Sequence, residues 1–312
     1  MDETGRPSII HVGSIAGVPQ ELSKAQRRLG LKSDVITFQN HPFKYDVDIS
    51  RPTRLPVPLK YLERIQYFFK VVKNYDVLHF HWSSLIPFGW DIPLWRRKEK
   101  CIIVHHHGDD IRRKGEGWFY KKFADQILVS TPDLLDWSPD AVWVPNPIDL
   151  QRYQYLDSEK HTGNTKILHA PSDRGIKGTK YVIKAVEDLR EEGYDVELVL
   201  VENMSHEKAV ECYKSSDIVV DQLLAGWYGV FAIECMAMGK PVCVYIKEEL
   251  ESYLHSNPLV NTSPARLKED LRILLEDEKL RSKIGREARR FVEVTHDSNK
   301  ISRYLIDNIY IK

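Results

Sequence analysis

The segment HAPSDRGIKGTK, residues 169–180, holds side chains that are suited to binding an anion. It places Arg174 and Lys177, together with Ser172, between an apolar run and an amphipathic helical stretch. A helix N-terminus presents unpaired N–H groups, and nearby cations strengthen such a site for phosphate. The segment therefore predicts a phosphate site, with Lys177 ahead of Arg174. The alternative is a solvated loop with ordinary surface charges.

A second candidate for ligand binding is a carboxylate on an apolar helix. In residues 225–242, Gly226 and Gly229 precede a stretch that is apolar nearly all round, and Glu234 is its one carboxylate. An ionised carboxylate on a buried helix is costly unless it is hydrogen-bonded or paired. A pair of ligand hydroxyls, such as a ribose diol, would satisfy it. A salt bridge to a neighbouring helix would do the same, so these two interpretations stay open.

Histidines cluster in HFHW, residues 79–82, and in HHHGDDIRR, residues 105–113. Consecutive strand residues point to opposite faces, so histidines 105–107 cannot all ligate one ion, and we predict no metal site. One imidazole is expected to hydrogen-bond a substrate, with Asp109 or Asp110 orienting groups nearby. For His79 and His81, structural and functional roles both remain open.

The loop GSIAG, residues 13–17, leads into a helix that has Pro19 in its first turn. Its position suits phosphate or sugar, because glycine lets the backbone of a helix N-terminus approach a ligand. The alternative is that these glycines serve packing alone.

The elements that must position these groups alternate between short apolar runs and amphipathic helices, which is the pattern of parallel α/β domains. The stretch from Pro264 to Lys312 is predicted to be helical. The predicted strands are Ser8–Val12, Asp34–Phe38, Asp76–Phe80, Cys101–His105, Gln126–Ser130, Val142–Val144, Lys166–Ala170, Val196–Val201, Asp217–Asp221 and Pro241–Ile246.

Two prolines interrupt regular structure in VPNPID, residues 144–149, and we place a domain boundary there. The chain of 312 residues is then predicted to form two Rossmann-like, doubly wound α/β domains facing each other across a cleft. The first spans residues 1–148 and the second 149–294, and the last helix, about residues 295–312, is expected to pack back on the first domain. Ligands of such sheets bind at the carboxyl ends of the strands, so the cleft is the expected site.

Composition restricts the partners and the compartment. Lys+Arg and Asp+Glu both number 45, so no global field would draw the protein to nucleic acid. The four cysteines have no metal-ligand or disulfide spacing, which indicates free thiols in a reducing compartment. We see neither a signal peptide in the acidic N-terminus nor an apolar run of about 18 residues, so a cytoplasmic protein is expected.

One stretch of the first domain suggests a membrane partner. Residues 51–73 combine six Arg and Lys side chains with several aromatic residues, and only Glu63 opposes them. A basic, aromatic surface can rest on anionic lipid. We therefore predict peripheral contact with the inner face of a membrane; the alternative is a solvated helix face with its apolar side in the core.

These motifs resemble a known family. VPNPID, a Lys-Gly loop and then GWYGVFAIECMAMGKPV look like the retaining family-4 glycosyltransferases of the GT-B fold. HHHGDDIR resembles the His-Gly-x-Asp element of that family. The motifs fall in the family's order and span nearly the whole chain.

The resemblance implies an acceptor-binding first domain and a second domain that binds a nucleotide-sugar. Gly17 would meet the donor phosphates, His107 would lie near the donor sugar, and Lys177 matches the phosphate-binding lysine. Glu234 matches the glutamate that holds the ribose hydroxyls. The resemblance thus implies catalytic roles for His107, Lys177 and Arg174 and donor-binding roles for Gly17, Ser172, Gly229, Val230, Phe231 and Glu234, with Asp110 and Gly226 as further candidates.

Two positions depart from the family pattern. Gly226 stands eight residues before Glu234, where the family has another glutamate that often contacts the transferred sugar. Ser172 replaces the arginine that usually precedes the loop lysine by five residues, and Arg174 is a candidate substitute. The first departure puts the identity of the sugar, and catalysis itself, in question.

The expected activity is transfer of a sugar from a nucleotide-diphosphate-sugar to an acceptor hydroxyl with retention, in polysaccharide or glycolipid synthesis. No metal or other cofactor is expected, because cations and helix N-termini would stabilise the diphosphate leaving group. The main alternative is a non-catalytic GT-B homologue that binds the nucleotide-sugar and acts as a regulatory subunit. A nucleotide-sugar epimerase and a periplasmic sugar-binding protein are weaker alternatives.

Overall fold

The apolar runs of the sequence form parallel strands. The computed structural model describes residues 5–39, 45–112, 114–156, 164–256 and 258–310. Its strands are β1 (Ile9–Val12), β2 (Ser33–Thr37), β3 (Ile49–Ser50), β4 (Val77–His81), β5 (Cys101–His106), β6 (Gln126–Val129), β7 (Val142–Trp143), β8 (Thr165–His169), β9 (Val196–Leu200), β10 (Ile218–Val220), β11 (Val242–Val244) and β12 (Val260–Asn261).

Amphipathic segments between the strands form helices. Their bounds are α1 (Val18–Arg28), α2 (Leu59–Val71), α3 (Ile92–Arg96), α4 (Trp118–Phe123), α5 (Arg174–Lys177), α6 (Thr179–Glu191), α7 (His206–Lys214), α8 (Val230–Ala237), α9 (Leu267–Glu276), α10 (Glu278–Thr295) and α11 (Ser298–Asn308). No helix in the described ranges is both long enough and apolar enough to cross a bilayer.

The chain divides into two compact units, which we call the N-terminal unit (residues 1–149 and 297–312) and the C-terminal unit (residues 150–296). Among the described residues, the N-terminal unit has a seven-stranded sheet in the order β3-β2-β1-β4-β5-β6-β7. The C-terminal unit has a five-stranded sheet in the order β12-β11-β10-β8-β9. Every strand pair in both sheets is parallel.

Helices cover both faces of the sheet in the N-terminal unit, because its strands are apolar on both sides. Ile9 and Ile10 are adjacent on β1 and fully buried, yet they belong to different core clusters. Ile10 packs with Phe68 of α2, whereas Ile9 packs with Leu22 of α1 and Leu305 of α11. The two faces of one strand thus anchor opposite helical layers.

The last helix of the chain, α11, belongs to the N-terminal unit and packs on α1. Arg28 donates a hydrogen bond to Ser298 Oγ at 3.1 Å, and Gln26 donates one to the Tyr310 hydroxyl at 3.3 Å. Asp297 begins this helix by accepting from the backbone N–H of Asn299 at 2.8 Å. Residues 311 and 312 lie outside the described residues.

The predicted fold class of two Rossmann-like parallel α/β domains is confirmed. The strands β3 and β12 were not predicted, because each has one polar and only one apolar residue, unlike the equally short but wholly apolar β7. The stretch after Pro264 is largely helical, as predicted. Asp277 and Asp297 act as N-cap residues and divide it into α9, α10 and α11.

Candidate functional site

Lys177 lies at the end of α5, a single helical turn inside the segment predicted to be a loop. Asp173 begins that turn by accepting from the N–H of Ile176, and Gly178, in a left-handed conformation at φ 75°, separates α5 from α6. The Lys177 ammonium contacts Asp221 Oδ1 at 2.8 Å, immediately after β10. Lys177 is mostly buried and the Asp221 side chain is fully buried, so this ion pair holds the ammonium in one place.

The same carboxylate connects Lys177 to helix α8. Asp221 Oδ2 accepts a hydrogen bond from the N–H of Gly229, the N-cap residue of α8, at 2.8 Å. A Cβ atom at position 229 would lie 3.3 Å from Lys177 Nζ, so glycine leaves room for the ammonium there. Val230 and Phe231, which follow in the first turn, are partly exposed. An ammonium therefore stands beside the N–H groups of a helix N-terminus, an arrangement suited to phosphate oxygens.

Glu234 lies on α8 and is 6% exposed. Its Oε1 accepts hydrogen bonds from the Tyr153 hydroxyl and from His206 Nε2, both at 2.7 Å. The sequence predicted neither partner by name, but His206 is the first residue of α7, so this contact is the pairing to a neighbouring helix that stood as the alternative to a ribose diol. Both contacts involve Oε1, so they orient the carboxylate and leave Oε2 for another donor.

Other predicted site residues of the C-terminal unit lie apart from this ion pair. Arg174 points to Glu202, with contacts of 2.8 and 2.5 Å to its two carboxylate oxygens. Ser172 is exposed just before α5. The structure thus brings Lys177, but not Arg174, to the N-terminus of α8.

The structure gives a physical reason for the glycine at position 226. Gly226 has φ 83°, a left-handed conformation that favours glycine. A Cβ atom there would lie 2.6 Å from Lys247 Cγ. A glutamate at this position would need both a different backbone turn and a displaced Lys247.

In the N-terminal unit, histidines of three adjacent strands form a hydrogen-bonded chain. His107, which follows β5, contacts His81 Nδ1 through its Nε2 at 3.0 Å. His81 Nε2 contacts His11 Nδ1 at 3.0 Å, and His11 Nε2 contacts Gln26 Oε1 at 2.9 Å. His11 carries no sequence signal by itself, but the parallel register places it opposite His79.

The polarity of this chain follows from its last acceptor. Gln26 Nε2 donates to the Tyr310 hydroxyl, so Gln26 Oε1 is the atom that accepts from His11. His11 must therefore donate through Nε2 and accept through Nδ1, and the same order passes to His81 and then to His107. Burial lowers the pKa of His11 and of His107 to about 4, which keeps both imidazoles neutral. His107 then carries its proton on Nε2 and has an unprotonated Nδ1.

Two sets of imidazoles in this cluster have the spacing of metal ligands. Nitrogens of His81, His105 and His107 lie within 4.8 Å of one another, and so do those of His11, His79 and His81. His81, which both sets share, already uses both nitrogens in the histidine chain. Both nitrogens of His105 are buried without a hydrogen-bond partner among the described residues. His105 and His107 are separated by one residue, so their side chains point to the same side and can approach one ion together. The prediction of no metal site rested on consecutive histidines, which point to opposite faces.

Asp110 anchors the loop that follows β5. Its Oδ2 contacts His106 Nδ1 at 2.6 Å, while Oδ1 accepts from the N–H groups of His107 and Gly108. Burial alone would raise the pKa of Asp110, but these hydrogen bonds hold it below the ordinary value. Asp109, by contrast, has a side chain that is 74% exposed. Asp110 is thus the residue that fixes the backbone of His107.

Gly17 ends the first loop of the N-terminal unit and is the N-cap residue of α1. Its φ is 75°, and a Cβ atom there would lie 3.3 Å from the Tyr45 ring. In the same loop, Ser14 accepts a hydrogen bond from Gln20 at 2.8 Å. The loop begins at the carboxyl end of β1, where parallel α/β sheets bind ligands.

Comparison with known proteins shows what the fold and the second half of the chain are similar to. Residues 177–307 match the family model described as glycosyl transferase-like. No curated protein matches the sequence significantly. A glycosyltransferase from Rickettsia africae has a similar structure, with TM-score 0.70 and 15% identity over 98% of each chain.

Two further structures are similar. Sucrose-phosphate synthase from Thermosynechococcus elongatus has TM-score 0.67 at 15% identity, over 96% of this chain and 97% of its own. WaaG, described as a glycosyltransferase involved in lipopolysaccharide biosynthesis, has TM-score 0.58 at 14% identity, over 96% of this chain and 99% of its own.

The chain therefore has the GT-B fold, and residues 177–307 are similar to a glycosyl transferase-like family. The predicted resemblance to GT-B glycosyltransferases is confirmed at this level. The retaining family-4 subtype stays a prediction.

Proposed function

We propose that this protein is a retaining, hexosyltransferase-like enzyme that transfers a sugar from a nucleotide-diphosphate-sugar to an acceptor hydroxyl. The observation that carries the proposal is the Lys177 ammonium, held by Asp221 beside the N-terminus of α8. A mostly buried cation beside the first turn of a helix is an arrangement suited to a diphosphate, although Asp221 pairs with the cation and accepts from Gly229.

In the proposed reaction the bond between the anomeric carbon and the diphosphate oxygen breaks, and its electron pair stays on the diphosphate. The acceptor oxygen bonds to the same face of the sugar, and its proton passes to a diphosphate oxygen. Lys177 and the N–H groups of Val230 and Phe231 stabilise the charge that develops, while the N–H of Gly229 donates to Asp221, so we propose that no metal is required. Arg174 contributes only if it leaves Glu202.

We propose one further donor contact in each unit. Glu234 Oε2 accepts from the ribose hydroxyls, while Tyr153 and His206 hold Oε1. On the sugar side, His107 Nδ1 accepts from a sugar hydroxyl because the histidine chain keeps the proton on Nε2.

The proposal predicts that nucleoside diphosphates and one class of nucleotide-sugar raise the melting temperature, because they bind only the folded protein. With the selected donor and a panel of saccharide and lipid-linked acceptors, we expect transfer with retained anomeric configuration, unchanged by EDTA. Nucleoside monophosphates are the matched control and should stabilise less. Donor binding without transfer or hydrolysis would favour the non-catalytic regulatory subunit. The absence of any shift with every nucleoside diphosphate would contradict the proposal.

We also propose a cytoplasmic location, a saccharide or lipid-linked acceptor of cell-surface polysaccharide or glycolipid synthesis, and contact with the inner face of a membrane. In the predicted contact stretch, Phe68 of α2 is fully buried, whereas Leu55 (45%), Val57 (61%), Leu59 (51%) and Leu62 (53%) are exposed. Large aromatic side chains are also exposed elsewhere in this unit: Phe88 (68%), Trp90 (64%) and Trp118 (60%). Lys122 Nζ lies 4.6 Å from the centre of the Trp118 ring.

Vesicle co-sedimentation tests this membrane contact. The full-length protein should sediment with vesicles containing anionic lipid more than with purely zwitterionic ones, because exposed aromatic rings and lysines suit an anionic interface. Replacing Phe88, Trp90 and Trp118 by serine should abolish most of this binding. Trp137→Ser removes another exposed tryptophan and serves as the control. Equal sedimentation with and without anionic lipid would dispose of the idea.

A further inference from the structure

A cavity of about 320 Å³ opens at the carboxyl ends of β1, β2 and β4 in the N-terminal unit. Its lining includes the hydroxyl-bearing residues Ser14, Thr37, Ser83 and Ser84, together with Trp82 and Arg64. Strand ends of parallel α/β sheets are where such domains bind ligands. Residues 13–15 of the first loop and His81 of the histidine chain line this cavity, whereas Lys177 and Glu234 belong to the C-terminal unit.

Arg64 is the cation of this cavity, and its charge is not neutralised by a neighbour. One terminal nitrogen of its guanidinium donates to the backbone oxygen of Phe38 at 3.2 Å. Its Nε is buried without a hydrogen-bond partner, and no carboxylate pairs with Arg64 among the described residues. Residues 40–44, which follow β2, contain no Asp or Glu. A partly buried guanidinium with an unused donor is costly unless a ligand satisfies it.

Other basic side chains lie near Arg64 and add to the positive charge at the cavity. A second cavity of about 190 Å³ shares Phe38 and Arg64 with the first and is also lined by Arg51, Lys70 and Glu63. Three cations, Arg64 among them, thus line this second cavity together with one carboxylate. An anionic group that enters here meets a local positive field in a protein of zero net charge.

The backbone at the cavity is also strained. Trp82 has φ 72°, a left-handed conformation that is unfavourable for a bulky side chain, and its N–H donates to the backbone oxygen of His105 at 3.0 Å. Such strain persists only where the surroundings impose it, and it is concentrated at ligand-binding sites. Trp82 remains 39% exposed, so its ring is available to a ligand.

We propose that this cavity is an acceptor subsite that binds a phosphate or carboxylate group attached to the acceptor. Arg64 lines the cavity, and a guanidinium can offer two of its N–H groups to two oxygens of one anion. The hydroxyl-bearing residues and Trp82 contact the adjoining saccharide or polyol. This inference rests on the proposed glycosyltransferase function and specifies the chemical class of its acceptor.

The test uses a full-length variant that combines Lys177→Ala with Asp221→Asn, so that the donor site does not capture the probe and no unpaired charge stays buried. Glycerol 3-phosphate, glycerate and glycerol are titrated by calorimetry. We expect one or both anions to bind and glycerol not to bind. Stronger binding of glycerol 3-phosphate or of glycerate identifies the phosphate or the carboxylate as the preferred group.

Arg64→Gln in the same background should weaken anion binding at least about 10-fold, the loss typical of a charged hydrogen bond. Arg64→Lys, which keeps the charge but not the fork, should lose less and controls for folding. Arg54→Gln removes an exposed arginine of the same stretch and should change nothing. Unaltered binding in Arg64→Gln, or equal binding of glycerol, would overturn the subsite. Nucleoside diphosphate binding to the wild type is a separate measurement, so the donor proposal survives a failure here.

Discussion

Lys177→Ala is expected to lower kcat by about 100-fold or more, the loss typical when one donor that stabilises transition-state charge is removed. The reason is local, because the ammonium stands beside the N-terminus of α8, where the diphosphate would accumulate negative charge. Steady-state kinetics with the selected donor measures the effect. Lys180→Ala, which removes an exposed lysine three residues away, is the control and should keep wild-type activity.

A structural effect of this substitution can be separated from a catalytic one. Without Lys177, the fully buried Asp221 would keep only its hydrogen bond from Gly229, and an unpaired buried charge is strongly destabilising. Lys177→Ala combined with Asp221→Asn removes both charges, so it should recover much of the lost stability. If the double variant recovers stability but not turnover, the ammonium acts on the substrate. Near-normal kcat in a folded Lys177→Ala protein would exclude this diphosphate site.

The sequence predicts the fold well wherever burial on both faces leaves an apolar run. Ile9–Val12 is such a run, and its four residues are all buried in β1. Short edge strands such as β3 escape prediction, because their pairing depends on a neighbour and not on their own residues. The same holds for α5, a single turn whose start depends on the Asp173 cap.

The candidate site is predictable in its residue types but not in its contacts. Motifs indicate Lys177 and Glu234, but their partners are distant in sequence: Asp221 is 44 residues from Lys177, and Tyr153 is 81 residues from Glu234. His11 joins the histidine chain only through the register of β1 with β4. Sheet register and packing bring these groups together, and neither can be read from local spacing.

Glu234→Ala is expected to weaken binding of the nucleoside diphosphate by about 10- to 100-fold, as for loss of a hydrogen bond to a charged acceptor. Tyr153 and His206 hold Oε1, so the substitution removes a carboxylate whose orientation is fixed in advance. Isothermal titration of wild type and variant measures the loss. Glu234→Gln keeps the side-chain volume and should bind more weakly than wild type, because its amide lacks the charge.

A ligand without the ribose hydroxyls shows whether the loss of affinity in Glu234→Ala comes from a lost contact to those hydroxyls. If Glu234 Oε2 accepts from the ribose hydroxyls, a 2′,3′-dideoxynucleoside diphosphate should bind wild type and Glu234→Ala with nearly equal affinity, because the variant has no further contact to lose. Tyr153→Phe, which removes one hydrogen bond to Oε1, should weaken binding of the ribose form less than Glu234→Ala does. An equal loss for ribose and dideoxyribose ligands would mean that Glu234 only supports α8, with Tyr153 and His206 as its structural partners.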